Sequence, residues 1–121
     1  VNAPDPLNRR EGALHHAASK GHLEACRVLL AAGAVVNMRN EWGTVPIHVA
    51  AEGGHVMVME ELVVRGADVN AEVEGNHWTP LFFAAAHGRL EAAQSLLRLG
   101  AKVHAQDDMG FTALDTAQRW L

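Results

Sequence analysis

Apolar residues along this chain follow a block of 17 positions that occurs three times. Residues 21–37 read GHLEACRVLLAAGAVVN, residues 54–70 read GHVMVMEELVVRGADVN, and residues 88–104 read GRLEAAQSLLRLGAKVH. In the first block Leu23, Cys26, Val28, Leu29 and Leu30 recur at helical spacing, and Gly33 ends the run where a left-handed residue is favoured. Gly21, Gly54 and Gly88 stand 33 and 34 residues apart, and so do Gly33, Gly66 and Gly100. A fixed period of this size marks a chain built of stacked repeats.

A second, shorter apolar pattern precedes each block. It predicts helices over Ala13–Lys20, Pro46–Gly53, Pro80–His87 and Ala113–Trp120. The long blocks predict partner helices over Leu23–Ala31, His55–Arg65 and Leu90–Leu99. Between the pairs lie polar stretches, VVNMRNEWGTV, DVNAEVEGNHWT and KVHAQDDMGFT, each extended, then turning, then extended again, as in a hairpin-like loop. PDPLN near the start reads as loop. The chain divides into units of about 7–39, 40–73, 74–106 and a half unit 107–121, with 1–6 read as the remnant or cap of a preceding unit. Both ends look cut, with Leu114, Ala117 and Trp120 on core surface at the last one. The expectation is a fragment of a longer array, or a piece trimmed to an ordered core.

Four segments carry a recognisable signature: VPIHVAAEGGH at 45–55, TPLFFAAAHGR at 79–89, ALHHAASKGH at 13–22 and GFTALDTA at 110–117. With GADVNA at 66–71, they resemble the ankyrin repeat over nearly the whole chain. The resemblance implies an all-α solenoid of about three full helix–turn–helix repeats and a half repeat, hairpins along one edge, and a protein-binding role without a cofactor. It implies that His15 and His48 bond the backbone of adjacent hairpins, and that the turns at Gly21-His22 and Gly54-His55 reverse the chain. Thr79 is expected to cap a helix that Pro80 starts without a free amide, and Pro46 starts its helix likewise. Gly33, Gly66, Gly88 and Gly100 hold recurrent turn positions. The departures are Val45 without the Thr hydroxyl, Gly12-Ala13 in place of Thr-Pro, and Phe82 in place of His. One extra residue between Asn70 and Thr79 predicts a longer or bulged hairpin.

Composition adds little to this reading, but charge does. The net charge of −4 gives no general attraction to nucleic acid or anionic membrane. Residues 1–40 carry five Lys or Arg against three acids, a net of +2, and residues 41–121 carry five against eleven, a net of −6. No apolar run approaches the roughly 20 residues of a membrane span. The single Cys26, on an apolar helix face, forms no internal disulfide. A monomer in the cytoplasm or nucleus is the expectation.

Eight His invite a metal hypothesis, with His15/His16 and His48/His55 as candidates. His15 and His48 occupy the same place in successive repeats, whose helices pack about 8–10 Å apart. Zn–N bonds are about 2.0–2.1 Å, so a shared ion is not expected. No catalytic motif is present, and the acid pairs Glu60-Glu61 and Asp107-Asp108 read as solvated, so no enzymatic activity is expected.

By the resemblance, hairpin tips and the inner helix surface bind partners. Carried onto this chain, those positions include Arg9 and Lys20, then Glu41, Trp42, Thr44 and Glu52. Next come Asn76, Trp78 and His87, then Asp108, Met109 and Phe111. Trp42, Trp78 and Phe111 are the candidate anchors, because a large aromatic in a polar loop either packs or binds. For Trp78 and Phe111, packing on the next hairpin is the competing reading. Acids around them suit a partner presenting apolar residues beside Lys or Arg. LVVRGADVN at 62–70 resembles the context used by asparaginyl hydroxylases, which makes Asn70 a modification candidate against a purely structural role within its hairpin. Two readings stay open beside the binding module. One is a regulatory or substrate-recruiting segment of a larger enzyme or channel; the other, which the irregular repeats argue against, is a designed binder.

Overall fold

The computed structural model describes residues 6–118, with side-chain surroundings from residue 12 on. Its helices are α1 Pro6–Lys20, α2 Leu23–Ala31, α3 Pro46–Gly53, α4 Val56–Val64, α5 Pro80–Ala86, α6 Leu90–Arg98 and α7 Ala113–Gln118. They form an all-α solenoid. α1, α3, α5 and α7 pack side by side as an inner row, and α2, α4 and α6 lie against them as an outer row. Among the described residues the only β-pairing is an isolated bridge between Gln106 and Thr112. The expectations for 1–5 and for Trp120 fall outside the described residues.

One expected loop is helical. Pro6 begins α1, so Arg9 lies in a helix and not on a hairpin. Proline's fixed φ suits a first helical position, and Leu7 to Glu11 contains no breaker. Gly12 costs about 1 kcal/mol relative to Ala in a helix interior, too little to stop the helix there.

Small residues set the spacing of the inner row. Ala17 and Ala18, Ala50 and Ala51, and Ala84 are buried where the helices meet, with Leu14, Ile47 and Leu81 beside them. Cys26, Met59, Leu62 and Leu96 close the core from the outer row. Burial pushes the Cys26 thiol up, and Glu61 adds to the effect, so the sulfur stays protonated.

The inner helices start in different ways. The Thr79 hydroxyl makes no capping bond, contrary to expectation. An extended cap residue followed by Pro80 starts α5 without it, as the hydroxyl-free Val45 does for α3 before Pro46. At α7 the hydroxyl does cap. Asp115 N–H donates to Thr112 Oγ1 at 3.2 Å, and Thr112 N–H donates to Asp115 Oδ2 at 2.9 Å.

Successive repeats are stitched at three levels. At the turns, His55 Nε2 reaches back to Ser19 O at 3.1 Å, and Arg89 Nε donates to Glu52 O at 3.0 Å. Gly21 has φ +74, and a Cβ built on it would fall 2.5 Å from the His55 ring. His22, one repeat earlier, donates its backbone N–H to Ala17 O and leaves its side chain exposed. At the other edge, Asn37 Nδ2 donates to Gly66 O while its Oδ1 accepts from Asp68 N–H. Asn70 does the same with Gly100 O and Lys102 N–H. Along the outer row, Arg27 pairs with Glu24 at 2.7 Å and with Glu61 of α4 at 3.3 Å. Glu61 also pairs with Arg65 at 2.9 Å. Glu61 is therefore not the solvated acid expected of it, and the Arg65 hydrogen bond, then that of Arg27, lowers its carboxyl pKa.

Candidate functional site

The three hairpins and the inner helices bound one surface. The first hairpin is closed by Asn40, whose N–H donates to Thr44 O at 3.0 Å. Asn40 Oδ1 accepts from Trp42 N–H, Thr44 N–H and the Thr44 hydroxyl. The third hairpin repeats the device with an acid. Asp107 N–H donates to Phe111 O at 2.8 Å, and Asp107 Oδ1 accepts from Met109 N–H and Phe111 N–H. Trp42 and Met109 thus occupy the same place on two hairpins, 71% and 72% exposed. Their backbones are held, and their side chains stand in solvent.

The second hairpin differs. Val73 takes the closing position, with N–H to Trp78 O at 2.9 Å, but Val has no side-chain acceptor. The loop is one residue longer, and Asn76 Oδ1 accepts Trp78 N–H instead. His77 has φ 63, where the other two hairpins use Gly43 and Gly110. Its Nδ1 lies 2.9 Å from Glu72 Oε1. The first two hairpins touch. Arg39 Nη1 donates to Gly43 O and to Glu72 O, and the Glu74 side chain lies over Gly43.

Beneath the tips the floor is aromatic. Trp78 stacks on Phe82 at 5.6 Å and meets Phe83 edge-on at 5.2 Å, and Phe83 lies 5.3 Å from the His48 ring. Trp78 is half-buried, and its Nε1 donates to Asp107 Oδ2 at 3.3 Å. The Trp78 ring is therefore packed within the protein and bonded to the next hairpin, as in the competing reading given for it. The reason lies one helix turn away. His15 Nε2 donates to Thr44 O at 2.9 Å, and His48 Nε2 donates to Ala71 O at 2.7 Å. Phe82 stands at the equivalent position and has no such donor. The Trp78–Asp107 bond links the hairpins there, aided by Asp108 N–H to Asn76 O at 3.0 Å. Phe111 is likewise half-buried.

His48 is the most constrained ionisable group. Its Nδ1 accepts Val45 N–H at 3.0 Å while Nε2 donates to Ala71 O, which fixes a neutral tautomer. Burial, with Arg39 nearby, lowers its pKa to about 4, although the Ala71 bond opposes the shift. At the groove's far rim, His87 Nδ1 donates to Phe83 O at 3.0 Å, and Nε2 lies 3.3 Å from Glu52 Oε2. Lys20 is exposed at the end of α1. Glu41, Glu74 and Asp108 are exposed along the hairpins. Thr44 and Asn76 are structural members of their hairpins. Val49 and Phe83 on the floor, and Asn40 in its turn, were not singled out by sequence reasoning, and Asp107, expected to be solvated, instead accepts from Met109 N–H, Phe111 N–H and Trp78 Nε1. The matching offsets of Asn40 and Asp107 from the following aromatic or Thr were the available signal. Among the described residues, no group of three or more His, Cys, Asp or Glu is placed to hold a metal ion, and no helix is long and apolar enough to cross a membrane.

Paired short helices, small-residue packing and stitched hairpins define an ankyrin-type helical solenoid whose surface is shaped for binding. The family model for ankyrin repeats matches residues 2–73 and 58–120. The chain belongs to the ankyrin-repeat family, and it is a protein–protein interaction module. It is 35% identical over 105 residues to bovine Cyclin-dependent kinase 4 inhibitor B, covering 87% of this chain and 79% of that protein. It is 35% identical over 105 residues to human Ankyrin repeat and SOCS box protein 16, covering 87% of this chain and 23% of that one. It is 42% identical over 86 residues to human ARF GTPase-activating protein GIT1, covering 69% of this chain and 11% of that one. The chain thus spans less than a quarter of the length of these last two relatives.

Proposed function

We propose that this module binds its partner across the hairpin tips and the groove beneath them, with Trp42 and Met109 as the anchors. The observation that carries this is their matched exposure on backbones already fixed by Asn40 and Asp107. Anchors held in place before binding lose little freedom on association. Glu41, Glu74 and Asp108 lie on the same hairpins, and Arg39 is spent on carbonyl groups. The partner segment is therefore apolar with Lys or Arg beside it. Charge of this kind acts chiefly on approach rate and discrimination. The module works as a monomer in the cytoplasm or nucleus, by binding and without catalysis, cofactor or nucleic acid.

A second reading has the module recruiting or regulating within a larger protein. It is favoured by the small share of two relatives that the chain spans.

The test immobilises the chain and its Trp42→Ala/Met109→Ala variant, confirms cooperative unfolding of both, and compares captured proteins by quantitative mass spectrometry. Capture of at least one protein is expected to fall about tenfold or more, the scale of losing one interface anchor. Equal capture across all proteins would move the site off the hairpin tips.

A further inference from the structure

In the first two repeats a buried histidine of the inner helix holds a hairpin from below. His15 Nε2 bonds Thr44 O, and His48 Nε2 bonds Ala71 O. Phe82 has no donor to offer the third hairpin. A tie comes from Trp78 instead, a half-buried ring at the groove floor, whose Nε1 donates to Asp107 Oδ2 at 3.3 Å. The other oxygen of that carboxylate serves the turn. Asp107 Oδ1 accepts Met109 N–H and Phe111 N–H, both at 2.9 Å. One side chain thus reaches the exposed tip residue Met109 on one side and the groove floor on the other.

Asn40 supplies an internal comparison. Its Oδ1 accepts from Trp42 N–H, Thr44 N–H and the Thr44 hydroxyl, and that closes the first hairpin. A turn of this shape needs one acceptor oxygen, so the second oxygen of Asp107 is spare for the turn and makes the link to Trp78. Another side chain joins the first hairpin to the second, since Arg39 Nη1 donates to Gly43 O and to Glu72 O. Val73, next to Glu72, donates its N–H to Trp78 O at 2.9 Å. A continuous line of bonds therefore runs from the turn that carries Trp42, through the second hairpin, to the turn that carries Met109.

We propose that Asp107 is a positioning residue for partner binding, which holds Met109 at a set distance from Trp42 by tying the third hairpin to Trp78. This role rests on the reading of Trp42 and Met109 as the anchors. Two anchors kept at one spacing select partners whose apolar groups match it, and they lose little freedom on association. The bond from Asp108 N–H to Asn76 O uses backbone atoms alone and survives a change of the carboxylate. Losing the Trp78 link therefore loosens the spacing without releasing the tip.

Asp107→Asn tests this. It keeps one carbonyl oxygen for the turn, as Asn40 does, and cannot at the same time accept from Trp78 Nε1–H. Trp78→Phe removes the donor and keeps a ring on Phe82; it is the second variant if the first unfolds. Nitroxide labels go on Trp42→Cys and Met109→Cys, and buried Cys26 leaves the labelling to these two. Pulsed electron spin resonance on the free chain is expected to give one narrow distance distribution. It should broaden in Asp107→Asn and in Trp78→Phe, and broaden no further when the two are combined. The binding readout is a protein captured by the chain and lost by Trp42→Ala/Met109→Ala. Asp107→Asn is expected to weaken its binding about fivefold, the scale of one hydrogen bond, and to have no further effect in a Met109→Ala background. An unchanged distance distribution would overturn the proposal and leave the anchors standing. So would an equal loss of binding in both backgrounds, which marks a carboxylate that only supports its own turn. Capture unaffected by Trp42→Ala/Met109→Ala would overturn both the anchors and the role of Asp107 in binding, even with the distances as expected.

Discussion

His48 shows how a single side chain can join two repeats and carry a pH dependence with it. Both ring nitrogens are bonded in the neutral form, so protonation would break the bond from Val45 N–H. The pKa falls from 6.5 to about 4 on folding. Because the folded protein holds this group below its unfolded value, its contribution is fully present above about pH 6.5. It is lost as pH falls toward 4, where the unfolded chain takes up a proton that the folded one refuses. Between pH 7 and pH 4.5 this amounts to about 2 kcal/mol. Urea melts at the two pH values should show wild type losing about that much more stability than His48→Phe. Equal losses would mean that His48 titrates normally in the folded protein. Ser95 makes the opposite case. Its hydroxyl is buried in α6 without a partner. Ser95→Ala removes an unsatisfied group and should raise stability by about 1 kcal/mol, read as a higher urea midpoint at unchanged slope. A lower midpoint would mean that the hydroxyl finds a partner in solution.

At the scale of elements, the hairpins and turns show where local strain is held. His77 takes a left-handed conformation at φ 63 that glycine takes in the other two hairpins. His77→Gly relieves that strain and gives up one exposed contact to Glu72, so it should stabilise by up to about 1 kcal/mol. The turns give a paired comparison. Gly21→Ala and Gly88→Ala both force a Cβ into positive φ, but only the first also meets the His55 ring and threatens its bond to Ser19 O. Gly21→Ala should cost about 1 kcal/mol more than Gly88→Ala, measured by thermal or urea unfolding. The helix pairs and the places of His15 and His48 are legible in the sequence, because identical residues recur in phase and α1 to α6 each end at or close before a glycine. The longer second hairpin is legible too, from the one-residue excess before Thr79. The commitment of Trp78 is legible only as one of two readings, packing on the next hairpin or binding. It depends on Phe82 lacking a donor and on Asp107 arriving from the next repeat, a distance that no spacing within one repeat encodes. The early start of α1 is hidden, because Pro6 serves a loop and a first helical position alike.

For the whole molecule, the order of packing sets the order of opening. In a stacked array each unit contacts only its neighbours, so stability is a sum of unit and interface terms. α3 and α5 have an inner helix on each side and an outer helix of their own, whereas α7 packs on α5 with one face open. Amide exchange measured by mass spectrometry should therefore show the strongest protection in α3 and α5. Protection should be clearly weaker in α7, whose amides exchange through local opening well below the global unfolding free energy. The same asymmetry bears on binding. Val49 and Phe83 on the groove floor belong to α3 and α5, and Trp78 leads into α5. The surface beneath the tips thus sits on the part of the stack that opens least, so little ordering is left for a partner to impose. If α7 exchanged as slowly as α3 and α5, the array would be opening as one cooperative unit, and the nearest-neighbour account would fail. If α5 exchanged fastest, the groove floor would be mobile, and a partner would have to order it on binding.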